Sequence, residues 1–278
     1  MPDFTLKINN QELKLNKPKV MGILNLTPDS FYDGGKFNTE KLALERTEKM
    51  LSEGADIIDV GAFSSRPGSK EITPFEEYDR LLAPLQAIKK EFPNCIFSID
   101  TYRCSIVLKL YDKIGGFIVN DISGGLKDEG IFDVCGGLNL PYICMHMQGS
   151  PENMQEKPQY KDLIKEQKNF FTTQISLAKK ANVPQVIIDP GLGFGKTVEH
   201  NFHILKNLKE YEDFKKPILI GLSRKSMIQK PLNVSVEEAL NGTTALNMVS
   251  LMNGANILRV HDVKEAVQCV KLHEQLNN

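Results

Sequence analysis

The sequence predicts a (β/α)8 barrel with an N-terminal β-hairpin covering the barrel bottom. Residues 1–278 form one domain, and 1–17 are the hairpin. Three observations predict this. Eight short apolar runs recur along the chain, and most end in a polar residue or glycine. Segments with helical spacing lie between them. The length of 278 residues suits one α/β barrel.

The elements follow in order. Phe4–Leu15 alternates apolar and polar residues around Asn9–Asn10, a hairpin signal. The strand-like runs are then Val20–Leu24 ending at Asn25, Ile57–Val60 ending at Gly61, and Cys95–Ile99 ending at Asp100. Phe117–Val119 ends at Asn120, Tyr142–Met145 at His146, and Val186–Ile188 at Asp189. Pro217–Leu222 runs into Ser223–Lys225, and Ile257–Val260 carries Arg259 and ends at His261. The first helix is expected from Asn38–Thr39, with Ala43, Thr47, Met50, Leu51 and Gly54 on one face. Thr73–Pro74 opens the second with a threonine cap and a first-turn proline. The fifth reads from Tyr160 through Leu163, Ile164, Gln167, Phe171, Ile175 and Ala178 to Ala181. Asp262 with Glu265 suggests a cap for the last helix. Two long connections, Thr27–Phe37 and Gly61–Thr73, are rich in Gly, Pro, Ser and Asp, which favours a working role at the barrel mouth.

Composition excludes several classes. Net charge is −1, from 34 basic and 35 acidic residues. No basic cluster stands out, so nucleic acid and anionic membrane are not expected partners. The mixed-sign stretch Lys206–Lys216 reads as a solvated helix face. Five scattered cysteines form no CxxC pair, and their apolar settings read as buried free thiols. Met1–Asn10 lacks the apolar stretch of a signal peptide, and no run is long enough to span a bilayer. A cytoplasmic protein is expected.

In such a barrel the C-terminal strand ends converge on one mouth. Asp100 and Asp189 close two strands there, with Asn120 beside Asp100. A carboxylate accepts the two parallel N–H groups of an amino-amidine edge, and an amide donates and accepts beside it. The set reads as a guanine-like or pterin-like edge reader; the bland reading has each Asp capping its loop. Asp59 is expected to be buried and paired behind it. Lys225, Arg259 and His261 make an anion pocket, the last two sharing a face by period two. The competing reading pairs Arg259 with an acidic neighbour and leaves His261 an inert cap. Asp189–Thr197 nearly matches a phosphate-binding P-loop, but Pro190 falls where the first glycine belongs. A tight glycine turn that sets Asp189 is the better reading. His200 and His203 have no evident third metal ligand, and His146 faces the mouth by position.

Eight segments, in order along nearly the whole chain, resemble the dihydropteroate synthase family of pterin-binding barrels. They are Met21–Gly35 (MGILNLTPDSFYDGG), Asp59–Gly68 (DVGAFSSRPG), Ser98–Thr101, Val119–Ile122, His146–Gly149, Asp189–Lys196 (DPGLGFGK), Gly221–Ser226 (GLSRKS) and Arg259–His261. The first two are the most specific. The resemblance implies a transferase of folate synthesis and a sulfonamide target. In that reaction 4-aminobenzoate attacks the methylene of 6-hydroxymethyl-7,8-dihydropterin diphosphate, giving 7,8-dihydropteroate and pyrophosphate. It implies Asp100, Asn120, Asp189 and Lys225 on the pterin. It places Arg259, His261, Asn25 and Ser65 on the diphosphate, with Mg²⁺ reached through Asn25. Asp100, Lys225, Arg259 and His261 would carry the catalysis. Phe31, Ser65, Arg66, Pro67 and Ser226 would shape the aminobenzoate side. A homodimer through outer helices six to eight is also implied. The chain departs from many members at Ser65, where threonine is frequent, and at Phe63, where glutamate is.

Two rivals share part of this pattern. A folate-binding methyltransferase barrel would use the Asp/Asn edge reader without the Lys225, Arg259 and His261 pocket. A non-catalytic pterin-binding paralogue would have lost pyrophosphate-site residues, and none is missing.

Overall fold

The computed structural model describes residues 4–27, 36–63, 71–149, 154 and 158–277. Thr5–Ile8 (β1) and Gln11–Lys14 (β2) pair antiparallel around Asn9, whose φ of 54° is the left-handed conformation that asparagine tolerates. Eight parallel strands follow: Lys19–Asn25 (β3), Ile57–Gly61 (β4), Phe97–Asp100 (β5), Ile118–Asp121 (β6), Tyr142–Met145 (β7), Val186–Asp189 (β8), Leu219–Ile220 (β9) and Ile257–Val260 (β10). Their order is β8-β7-β6-β5-β4-β3-β10-β9, and a parallel bridge between Ile188 and Ile218 closes the ring. The expected barrel and its hairpin are both present.

The helices on the outside are Lys36–Glu53 (α1), Pro74–Glu91 (α2), Cys104–Ile114 (α3), Ile131–Gly137 (α4), Leu163–Lys180 (α5), Val198–Lys206 (α6), Ser226–Leu232 (α7), Leu240–Met252 (α8) and Val263–Asn277 (α9). Ala43, Thr47 and Met50 are the buried face of α1, as their spacing predicts. Gly54 is no part of that face; at φ 101° it ends the helix. Thr73 forms a full capping box with Glu76 ahead of Pro74. Asp162 caps α5, so Tyr160 lies just outside it. Before α9, the Asp262 carboxylate takes the Arg224 guanidinium through Nε and Nη2, both at 2.9 Å. The charged stretch after α6 differs from expectation. Leu208–Phe214 is a 3-10 helix whose three-residue repeat stacks Leu208 and Tyr211 on one buried face.

The strand called from Pro217 to Leu222 shrinks to two residues. Pro217 has no N–H to give, and the Ile218 N–H goes to the Asn256 side chain at 2.9 Å.

Two residues per repeat divide the barrel interior into layers. Its floor is Met21, Ile57, Ile118, Ile143, Ile187, Leu219 and Ile257, which pack against Leu6, Ile8, Leu13 and Leu15 of the hairpin. One repeat higher stand Asp59, Asn120, Asp189 and Arg259. The floor is thus dry and apolar while the mouth is polar. The hairpin is pinned at its turn. The Gly116 N–H donates to Asn9 Oδ1 at 2.6 Å, and Asn9 Nδ2 donates to the Gly116 carbonyl at 3.1 Å. Asn9→Gly keeps the turn conformation and removes both bonds, so urea unfolding should show a loss of about 1–2 kcal/mol with an unchanged m-value.

Candidate active site

The strand ends bring Asp59, Asp100, Asn120, Asp189 and Arg259 into one cluster. Parallel register sets Asp100 beside both Gly61 and Asn120. Gly61 leaves room for Asp100, since a Cβ there would lie 3.3 Å from that of Asp100 and press on it. Arg259 Nε donates to Asp59 Oδ2 at 2.7 Å, and its Nη2 donates to Asp100 Oδ2 at 3.3 Å. Asn120 Nδ2 donates to the two oxygens of Asp59 at 3.2 and 3.3 Å. Asp59 is fully buried and satisfied by its neighbours, as the sequence suggests. The acidic-neighbour reading of Arg259 is therefore correct as far as it goes. Two of its donors are committed inside the barrel.

Asp100 differs from Asp59. Its Oδ1 is buried without a hydrogen-bond partner among the described residues. Burial pushes its carboxyl up to about 7; Arg259 pulls the other way, while Asp59, Glu77 and Asp121 push further. Asp189 is also raised by burial, with Lys225, the Gly191 N–H, Arg259 and Lys196 opposing.

The turn after β8 explains how Asp189 is set. Gly191 N–H donates to Asp189 Oδ1 at 2.7 Å. Gly191, Gly193 and Gly195 all have positive φ, and a Cβ on Gly191 would sit 2.0 Å from the His146 carbonyl. This is a packed glycine turn and not a phosphate cradle. Over it passes Lys225, whose stem would meet a Cβ on Gly193 at 3.0 Å. Lys225 Nζ donates to the Leu192 carbonyl at 2.5 Å and lies 4.5 Å from the centre of the Phe194 ring. Enclosure lowers its ammonium to about 8, against the pull of Asp189.

His261 stands on the solvent side of Arg259. Its backbone N–H donates to Ser223 Oγ at 3.2 Å, and its Nδ1 meets the same oxygen at 3.1 Å. The hydroxyl that accepts the N–H can donate to Nδ1, which leaves the proton on Nε2. Crowding by protein and then the Arg259 charge lower the ring to about 4, so His261 is neutral at pH 7. Asn25 ends β3 opposite Gly61, half-buried, and Ser226 is exposed at the start of α7. Phe31, Ser65, Arg66 and Pro67 lie outside the described residues. Phe63 packs edge-on against Tyr102, with ring centres 6.0 Å apart.

The remaining histidines serve the fold. His200 completes a capping box with Thr197. No group of three His, Cys, Asp or Glu able to hold a metal occurs among the described residues. His146 is buried against Phe170, its ring held neutral by burial and by Lys196. In the sequence Gln167 reads only as part of a helix face and Lys196 only as part of the Asp189–Thr197 turn, and Asn201 went unread. Asn201 Oδ1 accepts the Gly193 N–H at 2.7 Å. Arg103 also went unread; it donates to Glu77, Glu71 and the Ile72 carbonyl. No spacing signal marks these residues, because their partners come from other elements.

A polar mouth above an apolar floor, with carboxylates and an amide beside cations, suits a polar heterocycle that carries an anion. Residues 21–261 match the family model described as "Pterin binding enzyme". The dihydropteroate synthase of Escherichia coli K12 is 42% identical over 264 residues, covering 94% of this chain and 93% of that one. The Yersinia pestis dihydropteroate synthase, solved with a sulfonamide drug, superposes with a TM-score of 0.92 at 38% identity, covering 99% of each chain. The Thermus thermophilus enzyme, solved with 4-aminobenzoate, gives 0.87 at 35% identity, covering 98% of this chain and all of that one. The chain belongs to the dihydropteroate synthase family of transferases.

The burial of Asp100 has a stability consequence. Folded Asp100 holds its proton to about 7, far above an unfolded aspartate near 3.9. Between those values the folded state binds more protons, so this group's contribution to stability falls as pH rises. Asp100→Asn should therefore melt a few degrees above the wild type at pH 8. The gap should narrow at pH 5, as read by calorimetry.

Proposed function

We propose that this chain condenses 6-hydroxymethyl-7,8-dihydropterin diphosphate with 4-aminobenzoate, forming 7,8-dihydropteroate and pyrophosphate. The observation that carries the reading is the buried, unpartnered Asp100 Oδ1 at a mouth where neighbouring carboxylates are supplied with donors. A pterin edge brings the N–H groups that this oxygen and Asp189 accept, with Asn120 and Lys225 alongside. The methyltransferase rival leaves the N–H groups that Arg259 keeps beyond Asp59 and Asp100, and the donor His261, without an anion to bind.

The aryl amine is neutral at pH 7, so its nitrogen attacks without a base. Its lone pair forms the new C–N bond, the C–O bond to diphosphate breaks, and the amine proton leaves afterwards. The barrier lies in the departing pyrophosphate. Arg259 keeps N–H groups beyond those held by Asp59 and Asp100, and His261 offers Nε2–H. An arriving diphosphate raises the His261 pKa, so its donor strengthens as the negative charge collects. Asn25 and Ser65 complete this side. A single amide such as Asn25 suits Mg²⁺, which keeps waters and takes substrate phosphates in place of an all-protein cage. When bound there, Mg²⁺ neutralises charge on the leaving group. Phe31, Ser65, Arg66, Pro67 and Ser226 are assigned to the aminobenzoate. The electron-rich dihydropterin stabilises a cationic methylene, so pyrophosphate loss runs ahead of attack.

The test is a dual product assay with Mg²⁺, dihydropterin diphosphate and aminobenzoate. Equal formation of pyrophosphate and dihydropteroate is expected. Pterin binding with neither product would move the chain to the methyltransferases or the silent paralogues. Pyrophosphate release without aminobenzoate supports the stated order, and strict dependence on it opposes that order. Asp189→Ala should weaken 6-hydroxymethylpterin binding by a factor of about 100 or more in a fluorescence titration.

The reading extends to assembly and location. Val249 and Met252 on α8 and Leu272 and Leu276 on α9 are exposed apolar residues on two packed outer helices, which suits a homodimer face. Met252→Asp should then convert a sedimenting dimer to a monomer. Five free cysteines suit a reducing compartment, consistent with the cytoplasm.

A further inference from the structure

Behind the Asp189 turn lies a cation that the reaction above does not use. Lys196 is 2% exposed. Its Nζ donates to the Phe194 carbonyl at 2.9 Å and to the His146 carbonyl at 3.1 Å, and it meets His146 Nδ1 at 3.2 Å. Burial lowers its ammonium to about 7, against the pull of Asp189, so it carries its charge on the acid side of neutrality. No carboxylate among the described residues is bonded to it.

The partners of His146 fix the rest. Gln167 Nε2 lies 3.0 Å from the same Nδ1 and donates to the Pro190 carbonyl at 2.8 Å. Its Oε1 accepts from the Tyr211 hydroxyl. Both neighbours of Nδ1 are therefore donors, and the ring carries its proton on Nε2. Lys196 and Gln167 together fasten the end of β7 to the turn after β8. Gly191 rests on the His146 carbonyl in that same seam.

We infer that Lys196 is a positioning residue for the pterin site: its buried Nζ fixes the glycine turn by bonding the His146 and Phe194 carbonyls, and its charge, where present, favours the Asp189 carboxylate that the pterin edge needs. The inference rests on the pterin reading above. Asp189 also faces Lys225 from α7, Arg259 from β10 and the Cys144 thiol from β7. Lys196 faces Asp189, Lys225 and the neutral His146, with the Tyr211 hydroxyl behind Gln167. Among the described residues Asp189 is the carboxylate whose charge Lys196 meets, so removing Lys196 raises the Asp189 pKa on the acid side of neutrality, where Lys196 is charged.

The test is fluorescence titration of the full chain with 6-hydroxymethylpterin from pH 5 to 8. This probe lacks the diphosphate and so bypasses the anion pocket. Wild-type affinity should fall below pH 7, because the ligand must displace the Asp100 proton. Lys196→Met should bind about tenfold more weakly at pH 7.5. Its acid limb should move up by about half a pH unit and steepen, as Asp189 adds a second proton to be displaced. Lys196→Gln keeps two amide protons for the carbonyls and removes the charge. It should shift the limb in the same sense, and it serves if the Met variant does not fold. A limb that superposes on the wild type in a folded variant overturns the inference, whatever the affinity. Absence of probe binding by the wild type would instead overturn the pterin reading.

Discussion

The Arg259 guanidinium, held between Asp59 and Asp100, is the interaction on which the mouth of this barrel depends. It joins the last strand to the second and third strands of the ring across the interior. It also keeps two buried carboxylates within one site, which neither would tolerate alone. Asp59 spends its oxygens on Arg259 and Asn120, and so orients both. Asp100 gives one oxygen to Arg259 and keeps the other bare. The same cation thus builds the site, sets its charge and retains donors for an anion. A residue of this kind cannot be sorted into structure or chemistry, because its structural pairing is what aims its chemistry.

The opposite end of the barrel is organised by exclusion of water. Seven strands contribute one apolar side chain each to the floor, and the hairpin caps it. Polar groups begin one repeat higher. Stability and reactivity are therefore stacked in successive layers, separated by about 7 Å along each strand, the rise of two residues. Burial strong enough to raise the Asp100 and Asp189 carboxyls follows from that dry floor.

Much of this was legible in the sequence, for physical reasons. Strand ends such as Asp100, Asn120 and Asp189 show themselves because an apolar run stops at a polar residue. Arg259 and His261 show themselves by period two. The threonine cap at Thr73 is local, so it reads correctly. What stayed hidden was set by contacts distant in sequence. Nothing near Arg259 announces Asp59, two hundred residues earlier. Lys196 was masked by its place in a run that imitates a P-loop, and Gln167 by its place on an ordinary helix face. The shortness of β9 comes from the Asn256 side chain, which occupies a ladder position. The charged run after α6 concealed Tyr211 because a 3-10 repeat, not an α-helical one, governs it.

The barrel is not equally sewn all the way round. Between β8 and β9 the ladder is a single bridge at Ile188 and Ile218, beside a strand of two residues. Asp189 rises from one bank of that gap and Lys225 from the other. A ligand gripped by both acts as a clasp across the least-stitched seam. Part of its binding energy then goes into closing the ring, and the occupied barrel is a stiffer object than the empty one.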